Sequence, residues 1–315
     1  MTLKMLSLFD RDARWSDLTL ETSGDEDFEI RNLLQDSILI GGKNFRIVLG
    51  LKMASLLSVS HKDVLPYLKS AEMLHAATLV HDDVVDQSWQ RRGRPSLNSR
   101  TSNRHAILAG DYLLAKCIRS LAQIDQGQAL RDMTIALEEI VEGEWLQLEA
   151  RESLYIDSRT LETIAKKKTG ALFDWCCRAP AYASGRKDCL EILGDFGRTL
   201  GLCFQIVDDL LDFARNTGKP FLQDLREQHL NFVTEALIED FPHLRSSWSW
   251  DPEAPAWNEE QIGLAIKRVR MRLDMNVTLL QNRLDQIEKL LGLNLSSEAR
   301  RDILDLIEQL RGRTQ

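Results

Sequence analysis

Two short clusters of aspartate are the residues of this sequence whose type and spacing could do chemistry. They span residues 82–86 and 208–212, and each reads Asp-Asp-x-x-Asp inside an apolar run. Residues four apart lie on the same face of a helix, which places Asp82 beside Asp86 and Asp208 beside Asp212. Like charges one turn apart repel unless a cation lies between them. A single cluster could equally be a solvated helix face, but two copies predict metal binding.

Magnesium is the metal that such carboxylates favour, because it is a hard cation that is usually shared with substrate phosphates. Ions held between the two clusters and a diphosphate would stabilise that diphosphate as a leaving group. The sequence contains no G-x-x-x-x-G-K-[ST] or G-x-G-x-x-G motif, so the usual kinds of nucleotide binding are disfavoured. It also contains no G-x-S-x-G motif. The chemistry predicted is therefore electrostatic and not covalent.

Composition narrows the class of ligand. The chain has 315 residues, of which 43% are apolar and 28% are charged, and its formal charge is −8. Net negative charge argues against a nucleic-acid partner. Basic residues nevertheless cluster at positions 91–94 and 166–168, which suits a small anionic ligand. The length suits one large domain or two modest ones, and we expect an N-terminal segment over 1–22 followed by a helical domain over 23–315.

Hydropathy and cysteine usage predict a cytoplasmic protein. No apolar stretch approaches the roughly 18 residues that span a bilayer, so we expect no stable membrane insertion. The N-terminal apolar segment is too short for a signal peptide. The five cysteines show no C-x-x-C spacing, and we expect free buried thiols in a reducing compartment.

The sequence predicts helices nearly throughout, because it has only 7 prolines and many helix-forming residues. Asp63 is expected to cap one helix, with Pro66 in its first turn. No strand is predicted. The segment 242–257 is rich in tryptophan and proline, and we expect a connection that packs its indoles inward, with a contact surface as the alternative. Further helices are expected over 43–58, 103–121, 126–152, 157–183, 187–215, 222–239, 258–288 and 296–311.

Other short motifs accompany the aspartate clusters in a fixed order. They lie at residues 41–46 (G-G-K-N-F-R), 74–81, 91–95, 108–114, 168–169, 204–205 and 218–220. Together they resemble the trans-type polyprenyl diphosphate synthases, a family that includes the farnesyl, geranylgeranyl and octaprenyl diphosphate synthases. The resemblance runs from about residue 38 to 240. It implies an all-α fold, a single large bundle of the isoprenoid synthase type with a central cavity lined by the two Asp-rich helices, and a homodimer.

The resemblance also implies a reaction, the head-to-tail condensation of isopentenyl diphosphate with an allylic diphosphate. Three Mg²⁺ ions would bind with the substrate diphosphate, and the released diphosphate would take the final proton. The implied metal ligands are Asp82, Asp86, Asp208 and Asp212, and the first three of these form the catalytic set together with Lys168. The implied allylic diphosphate ligands are Arg91, Lys168, Thr169, Gln205 and Lys219. The implied isopentenyl diphosphate ligands are Lys43, Arg46, His75 and Arg92.

Helical spacing also bears on the length of the product. Thr78 lies one turn before Asp82, about 5 Å further along the same helix face. A prenyl chain that hangs from the metal-bound diphosphate must pass Thr78 and its neighbour Ala77, and both are small. Farnesyl-type enzymes of the family tend to have a bulky aromatic residue there. We therefore expect a product longer than farnesyl, of polyprenyl length. Asp83 and Asp209 point about 100° away from the paired faces and are expected to have supporting roles.

The sequence departs from the family pattern in the loop after Lys219. Leu222 and Gln228 replace two glycines, which makes this loop more helical than usual, and His229 replaces a lysine. If His229 contacts the diphosphate, activity should lean toward acid pH, because imidazole is charged only there.

Each implied ligand also has a structural explanation when it is taken alone. Lys43 and Arg46 could lie on an exposed turn, His75 could be a core histidine, and Lys168 could belong to a solvated run. Gln205 could cap a buried polar contact.

The alternatives for the whole chain are geranylgeranyl or farnesyl diphosphate synthesis, a non-catalytic subunit of a heteromeric synthase, and terpene cyclisation. The complete second aspartate cluster favours the coupling reaction over the last two.

Overall fold

The computed structural model of the protein describes residues 45–91, 93–124, 127–153, 157–214, 230–247, 257–292 and 297–314. The described chain is almost entirely helical, which confirms the prediction of an all-α fold. Its α-helices are α1 (Phe45–Leu56), α2 (His61–Val85), α3 (Leu97–Arg100), α4 (Asn103–Gln123), α5 (Gly127–Ser153), α6 (Ser158–Ala165), α7 (Ala171–Ser184), α8 (Leu190–Asp212), α9 (Phe232–Asp240), α10 (Glu259–Leu291) and α11 (Ser297–Gly312). Short 3₁₀ turns lie at Lys187–Cys189 and Pro242–Ser247, and a π-helical turn lies at Lys166–Gly170.

The sequence signals explain several helix ends. The side chain of Asp157 accepts a hydrogen bond from the Thr160 backbone N–H at 2.7 Å and caps α6. The side chain of Asn258 accepts from the Gln261 N–H at 2.9 Å and caps α10. Gly185 and Gly292 end α7 and α10 at φ of 70° and 56°, a left-handed conformation that glycine adopts without a steric penalty.

The expected start of α2 was wrong. The helix begins at His61, and the backbone N–H groups of Asp63 and Val64 donate to Ser60 O at 3.1 and 3.3 Å. Pro66 therefore lies inside the helix and not in its first turn. The carbonyl of Pro66 instead accepts a hydrogen bond from Ser70 Oγ at 3.1 Å.

The described residues divide into two compact units. The first contains residues 45–47 and 66–124. Its core is a buried cluster of apolar side chains from α2, α3 and α4. The cluster consists of Ala76, Ala77, Val80, Leu97, Ala106, Ala109 and Leu113. A two-stranded antiparallel ribbon of β1 (Gln90–Arg91) and β2 (Arg94–Pro95) follows α2. The sequence predicted no strand, and the ribbon's strands of 2 residues each are too short to show alternation.

The second unit contains residues 48–65 and the described part of 126–315, and α8 lies at its centre against α7 and α10. The long helix α10 buries one stripe, which repeats every three or four residues as an amphipathic helix does. The stripe consists of Ala265, Val269, Leu273, Val277, Leu280, Leu284, Ile287 and Leu291.

A network of ion pairs around the buried Asp174 joins α5, α7 and α8. The carboxylate of Asp174 pairs with Arg178 and with Arg198 Nε, the latter at 2.7 Å. Arg198 Nη1 also donates to Glu139 Oε2 of α5 at 2.8 Å. Burial raises the pKa of the Asp174 carboxyl, and the two guanidinium groups offset part of that effect. The network fixes the register of three helices, because an unpaired charge at these positions would be costly.

The expected single helix over 157–183 is interrupted by the π-helical turn. The turn and the start of α7 pack closely against α8, since a Cβ at Gly201 would lie 2.6 Å from Gly170 Cα and one at Gly197 would lie 2.4 Å from Phe173 O. The two glycines let the backbones approach closely. π-Turns of this kind occur frequently at functional sites.

Several smaller expectations can be compared with the described residues. All five cysteines are buried and free, as predicted. Trp257 is buried, whereas Trp248 and Trp250 lie outside the described residues. Of the expected helix over 222–239, the described part is α9, which begins at Phe232, and residues 215–229 lie outside the described ranges. The division at residue 22 stays a prediction for the same reason. Within the described ranges, no helix is long and apolar enough to cross a membrane.

Candidate functional site

The first aspartate cluster lies at the C-terminal end of α2. Asp82 is half-buried, and Asp86 follows the helix with its N–H donating to Asp82 O at 2.8 Å, so both keep helical spacing. Asp86 is exposed. The two metal-ligand candidates of this cluster are therefore accessible from outside the core.

Asp83 has a different environment from its neighbour. It is buried, its Oδ1 accepts a hydrogen bond from Arg91 Nε at 2.8 Å, and the same oxygen forms an ion pair with Arg91 Nη2 at 2.8 Å. Burial raises the pKa of the Asp83 carboxyl, and Arg91 lowers it in part. The main-chain carbonyl of Asp83 also accepts from Asn98 Nδ2 at 3.1 Å. Asp83 thus ties the β-ribbon and α3 to the end of α2. Arg91, an expected diphosphate ligand, is held by this carboxylate.

The isopentenyl diphosphate candidates are described only in part. Arg46 Nε donates to Glu72 Oε1 at 3.1 Å, and Glu72 is buried on α2. His75 lies three residues further along the same helix and is half-buried. Lys43 and Arg92 lie outside the described residues, as does the allylic candidate Lys219.

The two residues expected to bear on product length have unequal surroundings. Ala77 is 0% exposed and belongs to the buried cluster with α4. Thr78 is half-buried, and its Oγ1 donates to His75 O at 2.9 Å. A large side chain can be introduced at Thr78 with less overpacking of the core than at Ala77.

The second aspartate cluster borders a pocket within the second unit. The pocket has a volume of about 210 Å³, which is below the range for sites that enclose a whole drug-sized ligand and suits a head group. Its polar lining consists of Gln147, Arg151, Lys168, Gln205, Asp208, Asp209 and Asn231. Its apolar lining consists of Ala150, Leu161, Ile164, Ala165, Leu230 and Phe232.

Three of the expected site residues meet at this pocket. Lys168, Gln205 and Asp208 all line it, and Asp208 is half-buried. Thr169 does not line the pocket, but it contacts Gln205 directly. Asp212 is 2% exposed and does not line the pocket, so its expected role as a metal ligand remains a prediction.

A chain of hydrogen bonds crosses the wall of the pocket. Thr169 Oγ1 donates to Gln205 Oε1 at 2.9 Å, and Gln205 Nε2 donates to Asp209 Oδ1 at 2.9 Å. Asp209 Oδ2 accepts from the backbone N–H of Phe232 at 3.0 Å, at the start of α9. This relay links the π-turn, α8 and α9. It fixes the amide of Gln205, and it gives the buried Asp209 a structural role beside Asp208.

Lys168 is oriented by α5. Its Nζ donates to Gln147 Oε1 at 2.7 Å and forms an ion pair with Glu144. Gly143 permits this approach, because a Cβ there would lie 2.9 Å from Lys168 Cγ. The other two lysines of the run pair with Glu162 and Glu142, so Lys168 alone of the three lines the pocket.

The carboxylates of the two aspartate clusters can be compared with the way in which proteins bind Mg²⁺. Among the described residues, no group of three or more His, Cys, Asp or Glu side chains is close enough to hold a metal ion. Mg²⁺ typically binds through one or two carboxylates and the phosphates of a substrate, and does not require an all-protein cage. The half-buried Asp82 with the exposed Asp86 in the first unit, and the pocket-lining Asp208 in the second, are each carboxylates of the kind that this mode of binding uses.

Several residues of the pocket were missed from the sequence. Gln147 and Arg151 line it, and Glu144 holds Lys168. The sequence does contain a pattern that includes two of them, because Gly143, Gln147 and Arg151 follow one another at intervals of four on one face of α5. Polar residues at that spacing are usually a solvated face, so only the contact with Lys168 distinguishes them.

Comparison with known proteins identifies the family of the chain. The family model for polyprenyl synthetase matches residues 28–248, and the chain belongs to that family. A decaprenyl-diphosphate synthase of Dictyostelium discoideum is 38% identical over 211 residues, which cover 64% of this chain and 45% of the relative. A short chain isoprenyl diphosphate synthase of Methanocaldococcus jannaschii is 32% identical over 231 residues, 70% of each chain.

A solved structure gives the same result for the fold. The polyprenyl synthase from Caulobacter crescentus CB15, complexed with calcium and isoprenyl diphosphate, is 27% identical with a TM-score of 0.76, and the match covers 96% of this chain and 94% of that one. The all-α fold is therefore that of the polyprenyl synthases. The chain spans about half the length of several curated relatives that it matches.

Proposed function

We propose that the protein is a trans-prenyltransferase that condenses isopentenyl diphosphate with an allylic diphosphate to give a longer polyprenyl diphosphate. One observation carries the proposal: in a member of the polyprenyl synthetase family, Lys168, Gln205 and Asp208 line one pocket of head-group size. A lysine and an amide beside a carboxylate suit a diphosphate that binds with a metal ion.

Each residue has a defined task in this reaction. Asp82, Asp86 and Asp208 would hold three Mg²⁺ ions against the allylic diphosphate, with Asp212 as a further ligand. When bound, these ions neutralise the charge that develops on the leaving diphosphate. Lys168 would add a fixed positive charge, and Thr169 and Gln205 would orient the phosphate oxygens. Arg91 and Lys219 would complete this half of the site.

The second substrate would bind to a separate set of basic residues. Lys43, Arg46, His75 and Arg92 would hold isopentenyl diphosphate with its double bond facing the allylic cation. The buried Glu72 keeps Arg46 in one position, and a guanidinium has further N–H donors for phosphate. Lys168 and Arg46 would therefore serve different substrates.

We propose a polyprenyl product, because Thr78 and Ala77 are small. Relatives named for decaprenyl and nonaprenyl products support this length, while the short chain relative supports the geranylgeranyl alternative.

We also propose a homodimer, since α4 and α5 each expose large apolar residues, among them Leu108, Val141 and Trp145. A cytoplasmic location remains a proposal, which the five free cysteines support.

The test is an incubation of the purified protein with labelled isopentenyl diphosphate, Mg²⁺ and geranyl, farnesyl or geranylgeranyl diphosphate in turn. We expect chain elongation that stops when EDTA removes the metal, and a product longer than twenty carbons on chromatography. A twenty-carbon product would support the geranylgeranyl alternative. Absence of product with every primer would contradict the proposal and favour a non-catalytic subunit.

A further inference from the structure

The end of α5 supplies a second basic residue to the pocket. Arg151 lies four residues after Gln147, and both line the same pocket as Lys168 and Asp208. Arg151 is half-buried. Neither the aspartate motifs nor the family-like motifs of the sequence include this arginine.

The charges of the pocket indicate what Arg151 could bind. The pocket-lining acids Asp208 and Asp209 face two pocket-lining cations, Lys168 and Arg151. Glu144 pairs with Lys168 and so offsets much of its charge. Arg151 therefore adds a second cation to the lining of the pocket, on the α5 side.

The apolar lining suits an arginine at this position. Ala150, Leu161 and Ile164 line the pocket near the end of α5. An arginine can lay its aliphatic stem on such a surface while its guanidinium stays at the polar side. A guanidinium donates two parallel hydrogen bonds to phosphate oxygens, which a lysine cannot do.

We propose that Arg151 is a further diphosphate-binding residue of this pocket and that it acts together with Lys168. The inference rests on the proposed function, because it assigns the residue to the allylic diphosphate. It predicts that the affinity for a diphosphate depends on the guanidinium of Arg151, while the folded structure does not.

The experiment measures binding of inorganic diphosphate with Mg²⁺ by calorimetry, and steady-state kinetics with each substrate varied. Arg151→Gln should weaken diphosphate binding by roughly 10- to 100-fold, as expected for hydrogen bonds to a charged group. It should raise KM for the allylic substrate more than it lowers kcat. The diphosphate affinity of Arg151→Lys should lie between those of the wild type and Arg151→Gln, because lysine keeps the positive charge without the paired donors.

The matched control is Arg131→Gln, which removes an exposed arginine from the same helix. It should bind diphosphate as the wild type does, and circular dichroism should show all three variants folded. Wild-type affinity in a folded Arg151→Gln variant would overturn the role of Arg151 and leave the proposed function intact. Failure of the wild-type protein to bind diphosphate would overturn both.

Discussion

Adjacent aspartates in each cluster have different environments. Asp208 is half-buried and lines the pocket, whereas Asp209 is 5% exposed and accepts hydrogen bonds from Gln205 and from the Phe232 N–H. The first cluster repeats the arrangement, with Asp82 accessible and Asp83 paired with Arg91. A helix turns about 100° per residue, so neighbouring side chains necessarily face different surroundings. In each pair one aspartate is half-buried, and the next one is buried and holds the local structure.

Substitution of the two neighbours should therefore have different effects. Asp208→Asn should lower kcat at least roughly 100-fold, because a charge that stabilises the leaving group is lost. Asp209→Asn should instead lower the free energy of unfolding by about 1–3 kcal/mol, since an asparagine cannot accept both hydrogen bonds and one buried donor loses its partner. Urea denaturation and kinetics of both variants measure this difference.

The control for these two variants is Asp195→Asn on the same helix, where the side chain is exposed. Its ion pair with Arg283 is at the surface, so its loss should cost less than about 1 kcal/mol. If Asp209→Asn were as stable as this control, the structural role of Asp209 would be wrong.

Product length can be tested at Thr78. Thr78→Phe should shorten the product, because an aromatic ring one turn before Asp82 obstructs the growing chain. Thr78→Val has nearly the size of threonine and should leave the product unchanged. Ala77→Phe is a poorer test, because overpacking of the buried cluster should cost about 1–3 kcal/mol. Chromatography of the products measures the effect, and identical products from Thr78→Phe and wild type would contradict it.

At the scale of elements, the position of Lys168 depends on glycines of α5 and α8. Gly143 lets α5 approach the lysine, and Gly201 lets α8 approach the π-turn that carries it. The turn also presents Thr169 to Gln205. Close packing of three helices thus sets the geometry of this part of the pocket.

A methyl group at Gly201 should disturb that geometry. Gly201→Ala places a Cβ 2.6 Å from Gly170 Cα, so backbone must move, at a cost of about 1–3 kcal/mol. The matched change Gly263→Ala in α10 meets open space and should stabilise the helix by about 0.5–1 kcal/mol. Chemical denaturation compares the two, and KM for the allylic substrate should rise only in Gly201→Ala. Equal stability of both variants would contradict this account of the packing.

Helix content was predictable from the sequence, but its interruptions were not. Caps at Asp157 and Asn258 are local signals, and the predicted starts agree with them. The π-turn packs against α8, a segment distant in the sequence, and no local signal in its own residues predicts it. The start of α2 at His61 was missed because Pro66 is tolerated inside the helix. For the site, motifs pointed to Lys168 and Asp208, whereas Arg151 became apparent only when folding brought α5 beside them.

At the scale of the whole molecule, α5 exposes large apolar side chains. Ile135, Val141 and Trp145 are 44%, 57% and 65% exposed. Val141 and Trp145 lie one turn apart on the same face. Contiguous exposed apolar groups of this kind are typical of protein interfaces, and they support the proposed homodimer.

The proposed dimer can be tested by a charge placed on this face. Sedimentation of the wild-type protein should give twice the chain mass of 36.0 kDa. Val141→Lys should shift the equilibrium toward the single chain, because a buried unpaired charge opposes association. Leu290→Lys changes a similarly exposed leucine on α10 and should leave the mass unchanged. A wild-type mass of one chain would contradict the proposal.

The last prediction concerns stability against pH and rests on Glu235 of α9. Glu235 is 5% exposed. Burial and a hydrogen bond with Glu239 raise its pKa to about 7, while Arg272 and Arg268 lower it in part. In the unfolded chain the pKa returns to about 4.3, so between these values the folded state binds more protons. Stability should therefore fall as pH rises from about 4.3 to 7.

Over this pH range the free energy of unfolding should fall by on the order of 1–2 kcal/mol. The loss is small because solvent screens the exposed partner Glu239. Glu235→Gln cannot ionise and should remove this part of the pH dependence, so that the variant is more stable than wild type at pH 8 and nearly equal to it at pH 4. Glu138→Gln, an exposed position on α5, should keep the wild-type profile. Urea denaturation at several pH values measures the difference, and parallel profiles for wild type and Glu235→Gln would contradict a raised pKa. Since α9 begins at Phe232, which is held by Asp209, a change in the stability of α9 should also reach the pocket.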